Sequence, residues 1–398
     1  MGGHRSRKTV LFVNELYVDL WPASPLGAIA KALDGLAREQ ELDLSIVFAL
    51  RDPVFAGFPF AALGYHVLPS PATPTTDHAG TKDTSFADVL LACRFARVHD
   101  LSRAVSAWDG LFKVIKPDVI VADTSPVAML AARGRIPVMV TGSGFAVPPA
   151  GLGAFPPFGD DTSDETIQGL MLEVANMVLT TRNAPLLDRL PRLLEGEARS
   201  AFSVPKLDPY AGTRTEPPLR PCGCPEPLPF PAAPLLFAQM ASDQPFAGAA
   251  ARGFDRAGIA VAAYLPGPET APTTFLAGLG AELYATPPAP QEMLCRASIV
   301  VSGDVWLAQA AYTAGRTQIC LPSSLEMRLL AEQLEILGCG ITLRRFGSEE
   351  LASAVRELML NPTYRQRAEE EALAAAEWAP DTESAKIVAR RCLELAGR

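Results

Sequence analysis

The chain has 398 residues, of which 48% are apolar and 20% are charged, and its formal net charge is −9. This length is too great for one ordinary hydrophobic core and predicts two α/β domains, while the negative charge disfavours nonspecific binding to nucleic acid. We expect a cytoplasmic location, because no apolar run could span a bilayer, no cleavable signal precedes the first strand and the seven cysteines fit reduced thiols.

The first half of the chain is predicted to alternate short buried strands with amphipathic helices. Apolar runs predict the strands, and apolar residues at helical spacing predict the helices. Polar or proline-rich loops at residues 69–85 and 146–164 interrupt this pattern. Strands are predicted at residues 8–13, 44–49, 65–68, 117–122 and 137–140. One helix is predicted to begin near residue 25, one or two lie between 86 and 115, and further helices cover 128–135 and 167–194.

The second half repeats the alternation after a proline-rich stretch at residues 208–234, which is predicted to be an interdomain linker. Regular alternation of strands and helices predicts a parallel doubly wound sheet. Strands are predicted at 235–239, 259–264, 282–285, 298–301 and 317–321. Helices are predicted at 245–257, 273–279, 290–296 and 382–395, and at 349–361 with Ser348 as the N-cap. Three further helices are predicted to end at residues 315, 338 and 378.

Two predicted strand ends, after Val301 and after Leu321, are each followed by a helix N-terminus. In an open α/β sheet, ligands bind where strand ends meet helix N-termini. The free N–H groups and the positive dipole end of a helix suit a phosphate group. The stretch from 298 to 340 is therefore the predicted ligand-binding region of the second half. No metal site is predicted, because Cys222 and Cys224 have no further ligands near them in sequence.

Residues 298–340, SIVVSGDVWLAQAAYTAGRTQICLPSSLEMRLLAEQLEILGCG, resemble the donor-sugar region of the UDP-glycosyltransferases of glycosyltransferase family 1. The bacterial macrolide and flavonoid transferases belong to this family. Its pattern is His-Gly-Gly-x-Gly-Thr, a helix, Gly-x-Pro-Gln, a strand ending in Pro, an Asp-Gln pair and a helix ending Leu-Gly-x-Gly. A second block of likeness covers residues 117–149. The conserved positions that this chain retains in the first block are Gly303, Gly315, Gln318, Pro322, Ala331, Leu337, Gly338 and Gly340.

The resemblance implies the GT-B fold, in which two Rossmann-like doubly wound parallel-sheet domains face each other across a cleft and the C-terminal helix returns to the first domain. The expected divisions are an acceptor-binding domain at 1–212, a linker at 213–233, a donor-binding domain at 234–380 and the returning helix at 381–398. The implied activity is inverting, metal-independent transfer of a sugar from a nucleoside-diphosphate sugar, UDP- or TDP-linked, to a hydroxyl of a small-molecule or peptide acceptor. The nucleotide sugar would be a co-substrate, and no separate cofactor is expected.

The chain departs from the family at the catalytic base. Family members carry a His in Gly-His-x-x-Pro-Leu, and the matching frame at residues 21–26 keeps Pro-Leu and lacks the His. Carboxylates are the remaining candidates, because a buried carboxylate with a raised pKa can act as a general base. We predict Glu15, Asp19 or Asp123, the last of which matches the residue that orients the family's His. The structural alternatives are loop solvation or helix capping for Glu15 and Asp19, and a hydrogen bond to a loop N–H for Asp123.

The predicted donor loop also departs from the family. Asp304 places an acid where the family has no side chain, and a negative charge about 4 Å from a phosphate costs on the order of 1 to 4 kcal/mol. Trp306 replaces a glycine that permits close backbone approach, so it either stacks on a base or sugar or fills the pocket. Glu326 stands where the family holds the sugar hydroxyls. The predicted donor contacts are Ser302, Gly303, Asp304, Trp306, Gln318, Ser323, Ser324 and Glu326, and the predicted acceptor contacts are Trp21, Ser143 and Phe145.

Two functions follow from these observations. The first is the glycosyltransferase described above, with a non-standard base and donor loop. The second is a catalytically inactive relative of the same fold that binds a ligand or supports a protein partner, because fold alone does not determine activity. The sequence also leaves open that the chain forms a homodimer. Binding of a nucleoside diphosphate would separate the two.

Overall fold

The protein consists of two α/β domains, each built on a six-stranded parallel sheet. The structure is a computed structural model that describes residues 7–16, 25–53, 58–73, 83–159, 165–378 and 383–397. The two α/β domains expected from the sequence are confirmed. The first domain contains β1 (Lys8–Asn14), α1 (Pro25–Glu39), β2 (Leu44–Leu50), α2 (Phe58–Ala62), β3 (His66–Pro69), α3 (Phe86–Ala92), α4 (Val98–Ile115), β4 (Val119–Asp123), α5 (Pro126–Ala132), β5 (Val138–Ser143), α6 (Glu165–Thr181) and β6 (Ala198–Phe202).

The second domain begins after the proline-rich stretch and follows the same alternation. Its first strand starts at Leu235, as predicted. Its elements are β7 (Leu235–Gln239), α7 (Ala247–Ala257), β8 (Ala260–Tyr264), α8 (Ala271–Gly278), β9 (Glu282–Tyr284), α9 (Pro290–Arg296), β10 (Ile299–Ser302), α10 (Val305–Thr313), β11 (Thr317–Cys320), α11 (Leu325–Ile336), β12 (Gly340–Thr342), α12 (Ser348–Leu360), α13 (Pro362–Trp378) and α14 (Ser384–Ala396).

Both sheets place their first strand in the middle, so that the carboxyl ends of the central strands lie side by side. The first sheet has the order β3-β2-β1-β4-β5-β6, and the second has β12-β11-β10-β7-β8-β9. Register pairs Asn14 with Asp123 in the first sheet and Ser302 with Gln239 in the second. Each sheet therefore presents a row of strand ends at one edge, which is where ligands bind in such sheets.

Several predicted boundaries were wrong. The predicted helix at 167–194 ends at Thr181, because Asn183 has a left-handed φ of 51° and Pro185 follows it; a short 3-10 helix then covers Leu190–Leu194. The fifth strand runs three residues beyond its predicted end, to Ser143. Gly347 rather than Ser348 is the N-cap of α12, and no side chain caps that helix. Strands β6 and β12 were not predicted.

The last helix returns to the first domain, as the resemblance implied. Helix α14 packs against α1, β4 and β5 of the first domain. Arg391 on this helix donates hydrogen bonds to the carbonyl of Arg199 and to the Ser200 hydroxyl of β6. In the described part of the chain, every helix is too short or too polar to cross a membrane.

The two domains also contact each other directly beside the proline-rich stretch. The backbone N–H of Val204 donates to the Gln309 carboxamide of α10 at 2.9 Å. Leu325, the first residue of α11, packs into the apolar cluster of the first domain. The guanidinium of Arg316 is fully buried and donates to the carbonyls of Leu228, Pro229 and Leu294, which fixes the proline-rich stretch to the second domain.

Candidate functional site

A cleft of about 390 Å³ lies between the carboxyl ends of the two sheets. This volume falls within the range of small-molecule pockets, at its lower end. Both domains contribute to its walls. The first domain supplies Asn14, Leu16, Asp52, Asp123, Thr124 and Ser143, and the second supplies Gln239 to Gln244 without Ser242, then Phe246, Pro266, Gly303 to Trp306, Leu321, Ser323, Ser324 and Glu326.

Asp123 is the last residue of β4, and its carboxylate borders the cleft. The side chain is 3% exposed, and burial, together with the negative charge of Glu326, raises its pKa to about 7. One oxygen accepts a hydrogen bond of 2.9 Å from the Thr124 hydroxyl. A carboxylate with this pKa can accept a proton near neutral pH. The structural role predicted as the alternative to catalysis was a hydrogen bond from a loop N–H. The structure shows a hydrogen bond from the Thr124 hydroxyl.

The backbone around Asp123 is held in unusual conformations. Thr124 has a φ of 43°, in the left-handed region that non-glycine residues rarely adopt. Gly142 on the neighbouring strand has a φ of 138°, and a Cβ there would lie 2.5 Å from an oxygen of Asp123. Strained backbone of this kind clusters at functional sites. Glycine at position 142 thus leaves the space that the Asp123 carboxylate occupies.

Glu326 lies on the opposite wall, in the first turn of α11. Its side chain is 9% exposed, and it is near enough to Asp123 for its charge to raise the pKa of that residue. The cleft therefore contains two carboxylates that face each other from different domains. This position fits the predicted contact between Glu326 and a ligand.

Glu15 has a different environment, although it follows β1 directly and its pKa is also raised to about 7 by burial. Its carboxylate accepts hydrogen bonds from the backbone N–H of Ala128 and, at 2.9 Å, from the hydroxyl of Thr73. Ala128 lies in the first turn of α5, whose N-cap residue Ser125 makes no side-chain cap. Glu15 thus caps α5 from a distant part of the chain and does not line the cleft. This is the helix-capping alternative that the sequence left open.

The predicted phosphate site after β10 is filled by the protein's own carboxylate. Asp304 is the N-cap of α10, and one of its oxygens accepts hydrogen bonds of 2.9 Å from the N–H groups of Trp306 and Leu307. Ser302 is also engaged, because its hydroxyl accepts from the N–H of Asp304. A Cβ on Gly303 would lie 2.6 Å from the carbonyl oxygen of Leu321, so only glycine fits there. Two of the N–H groups that a phosphate would use, those of Trp306 and Leu307, are therefore already paired.

The other predicted donor residues divide into those that line the cleft and those that do not. Trp306 borders the cleft, but it is 2% exposed and belongs to a buried apolar cluster. Gln318 is outside the cleft, because its amide donates to the carbonyl of Ala308 at 3.0 Å and ties β11 to α10. Ser323 is exposed at the cleft, and Ser324 lines it while capping α11 through the N–H of Met327.

The predicted acceptor residues are also separated by the structure. Ser143 lines the cleft, where its hydroxyl accepts from the N–H of Ala146. Phe145 is 1% exposed and packs against the rings of Phe86 and Phe158 in the core. Asp19 and Trp21 lie outside the described residues.

Six polar residues of the described cleft lining were not singled out from the sequence: Asn14, Asp52, Thr124, Gln239, Asp243 and Gln244. Gln239 ends β7 and is 1% exposed, and neither its amide nitrogen nor its amide oxygen has a hydrogen-bond partner. A polar residue at the carboxyl end of a buried strand, as in LLFAQ, was the available signal, since that is the edge where ligands bind.

The described lining of the cleft is strongly acidic. It contains five carboxylates and no Lys, Arg or His. Arg316 and Arg328, two basic residues in the 298–340 stretch, are not among the residues that line the cleft. Arg316 is buried against the proline-rich stretch, and Arg328 donates to the carbonyl of Asp83 of the first domain. Both arginines therefore make contacts within the protein away from the cleft.

The described residues contain no group of three His, Cys, Asp or Glu side chains that could hold a metal ion. All seven cysteines are free thiols. Cys222 and Cys224, the only close pair in sequence, are among them, and burial raises the pKa of each to about 12.

Comparison with solved structures identifies the fold. The spinosyn rhamnosyltransferase SpnG aligns with 98% of this chain and all of its own at a TM-score of 0.62, with 14% identity. Glycosyltransferase VinC, solved in complex with DTDP, aligns over 98% of this chain and all of its own at 0.60, also with 14% identity. SsfS6 of Streptomyces sp. SF2575, complexed with thymidine diphosphate, covers 98% of this chain and 99% of its own at 0.58 and 17% identity.

The chain has the GT-B fold. The resemblance stated from the sequence is confirmed at this level, since similar glycosyltransferases match it from end to end. No protein-family model and no curated protein matches the chain. Its activity must therefore be argued from the cleft.

Proposed function

We propose that the protein is an inverting, metal-independent glycosyltransferase that moves a sugar from a nucleoside-diphosphate sugar, TDP- or UDP-linked, to a hydroxyl of an acceptor, with Asp123 as the general base. The acceptor is a small molecule or a peptide. The observation that carries this proposal is the Asp123 carboxylate, which borders the interdomain cleft with a pKa of about 7. We place the activity in the cytoplasm, where the seven free thiols would stay reduced.

Asp123 would act by removing the proton from the acceptor hydroxyl. The acceptor oxygen then attacks the anomeric carbon while the bond from that carbon to the diphosphate oxygen breaks, so that the configuration inverts and the nucleoside diphosphate leaves. A base positioned within hydrogen-bond reach contributes about 10² to 10⁴ in rate. Ser143 on the same wall would contact the acceptor.

The donor would lie against the second domain. The N–H groups of Trp306 and Leu307 in the first turn of α10 are paired with Asp304, so the diphosphate would depend mainly on other donors. The hydroxyls of Ser323 and Ser324 and the free amide of Gln239 are the groups that face it there. Glu326 would accept hydrogen bonds from the sugar hydroxyls.

The test is a transfer assay with purified protein, TDP- and UDP-sugars and a panel of small hydroxylated acceptors, with products identified by mass spectrometry. A product whose anomeric configuration is opposite to that of the donor supports the proposal, as does its formation in the presence of a chelator. Retained configuration, or equal product from Asp123→Asn, contradicts it.

A specific observation supports a second candidate, a ligand-binding protein with the same fold that transfers no sugar, alone or with a protein partner or second copy. Asp304 both occupies the N–H groups of α10 and adds a negative charge beside them. Calorimetry with TDP and UDP separates the two candidates. Micromolar binding favours the transferase, and no binding at millimolar ligand favours the second candidate.

A further inference from the structure

The charge of the cleft limits what can bind there. Asp52 and Asp123 lie on the first wall, and Asp243, Asp304 and Glu326 lie on the second, with no basic side chain among the described lining residues. Charges of the same sign repel each other, and opposite charges attract, more strongly in a partly buried cleft than in bulk water. A ligand with several negative charges would meet this repulsion from both walls, whereas a positively charged ligand would be attracted by both.

The buried amide of Gln239 is a second and independent feature of the same cleft. Its side chain is 1% exposed and borders the cleft, and both its nitrogen and its oxygen lack a partner. Buried polar groups in proteins are nearly always hydrogen-bonded, so an exception needs an explanation. A ligand that supplies both an acceptor and a donor, as a hydroxyl group does, would satisfy this amide.

We propose that the cleft binds a small organic molecule that carries protonated amines and hydroxyl groups, an amino-substituted polyol. The amines would pair with Glu326 and Asp243 on the second wall, and a hydroxyl would pair with Gln239. The carboxylates do not form a group suited to a metal ion in the described residues, so an organic cation fits them better. This inference goes beyond the proposed function, because it uses Gln239 and Glu326, which are assigned there to the donor, so the molecule would compete with a nucleotide sugar for the cleft rather than bind beside it as the acceptor.

The experiment uses neamine as the probe, because it combines amines and hydroxyls on a compact body. Its fully N-acetylated form keeps a similar shape and the hydroxyls but carries no charge. Titration calorimetry on the full chain, without any sugar donor, should show neamine binding at least about tenfold tighter than the acetylated form. Equal binding of the two, or no neamine binding at millimolar concentration, would overturn the inference.

Variants then locate the binding. Glu326→Gln should weaken neamine binding by about tenfold through loss of one charge. Glu173→Gln removes the same charge from an exposed position on α6, away from the cleft, and should leave binding unchanged. If both variants weaken binding equally, neamine is held by net charge alone and the proposed site is wrong.

Gln239→Leu provides a further variant that does not alter charge. It removes a buried amide with no partner, so the protein should stay folded with an unchanged or higher melting temperature, while neamine binds several-fold more weakly. Unchanged neamine binding in this variant would remove Gln239 from the site. Because no donor is present, a failed transfer assay leaves these binding results unaffected, and the two proposals can fail separately.

Discussion

Two neighbouring strand ends in the first sheet carry buried carboxylates with different roles. Glu15 follows β1 and Asp123 ends β4, and these strands pair through Asn14 and Asp123. Burial raises the pKa of both to about 7. Yet the Glu15 carboxylate caps α5, whereas Asp123 borders the cleft and receives one hydroxyl bond.

The comparison shows that a raised pKa alone does not identify a catalytic carboxylate. Structural carboxylates inside a protein have the same shift for the same reason, the cost of burying charge. What distinguishes the two residues here is the surroundings of each carboxylate. Asp123 borders the cleft and packs against Gly142, where a Cβ would lie 2.5 Å from its carboxylate, while the Glu15 carboxylate accepts an N–H from the first turn of a helix.

The largest expected effect is on catalysis at Asp123. Asp123→Asn keeps the size of the side chain and an oxygen for the Thr124 hydroxyl, but it cannot accept the acceptor's proton. We expect the rate of sugar transfer to fall by about 10² to 10⁴. The matched control is Glu15→Gln, a buried carboxylate with the same raised pKa, which should keep the wild-type rate per folded molecule. Similar losses in both variants would show that the two residues do not differ as described.

Glu15 should instead affect stability, and in a pH-dependent way. Its folded-state pKa is about 7 and the ordinary pKa of a glutamate is 4.5, so the folded state holds more protons between these pH values and stability falls as pH rises through this window. The penalty, fully present above pH 7, is about 3 kcal/mol. Urea unfolding at about pH 5 and pH 8 should show that Glu15→Gln removes this part of the fall. Parallel pH dependence in the two proteins would contradict the burial of an ionisable Glu15.

The pH profile of transfer should follow the ionisation of Asp123, whose pKa is raised in part by the charge of Glu326. The base must be deprotonated, so kcat/KM should rise about tenfold from pH 6 to pH 8 with a midpoint near the pKa of about 7. Removing the charge of Glu326 by substitution with Gln should move this midpoint to lower pH, because that charge raises the pKa of Asp123. A midpoint that does not move would place the titrating group elsewhere.

Asp304 gives the smallest effect and extends the comparison to the second domain. Asp304→Asn retains an oxygen to cap α10 and removes a negative charge from the predicted phosphate site. We expect TDP to bind about tenfold more tightly, since the relieved repulsion is on the order of 1 kcal/mol or more. Calorimetry measures this directly. Unchanged or weaker TDP binding would indicate that the diphosphate does not approach α10.

Much of the fold could be predicted from the sequence because its strands are apolar and its helices amphipathic. The two missed strands lack these signals. Strand β6, Ala198–Phe202, carries Arg and Ser, and β12, Gly340–Thr342, has only three residues and begins with glycine. Their positions are set by pairing with β5 and β11, which is tertiary information.

The site was harder to predict because its contacts connect distant parts of the chain. Asp123 could be found from its place at a strand end and from the family resemblance. The capping role of Glu15 depends on Ala128, 113 residues away, and no local pattern reveals it. The role of Asp304 was accessible, because Asp is a favoured N-cap residue. Gln239 needed only the rule that polar strand ends face ligands.

The return of α14 to the first domain has a consequence for how the protein is made. The surface formed by α1, β4 and β5 stays uncovered during translation until residues 384–396 emerge, after the whole second sheet has been synthesised. The first domain therefore cannot complete its packing until the last helix of the chain has been translated. Cutting the chain at the proline-rich stretch would yield a first fragment that exposes this apolar surface. A separately supplied second fragment, which contains α14, should cover that surface again.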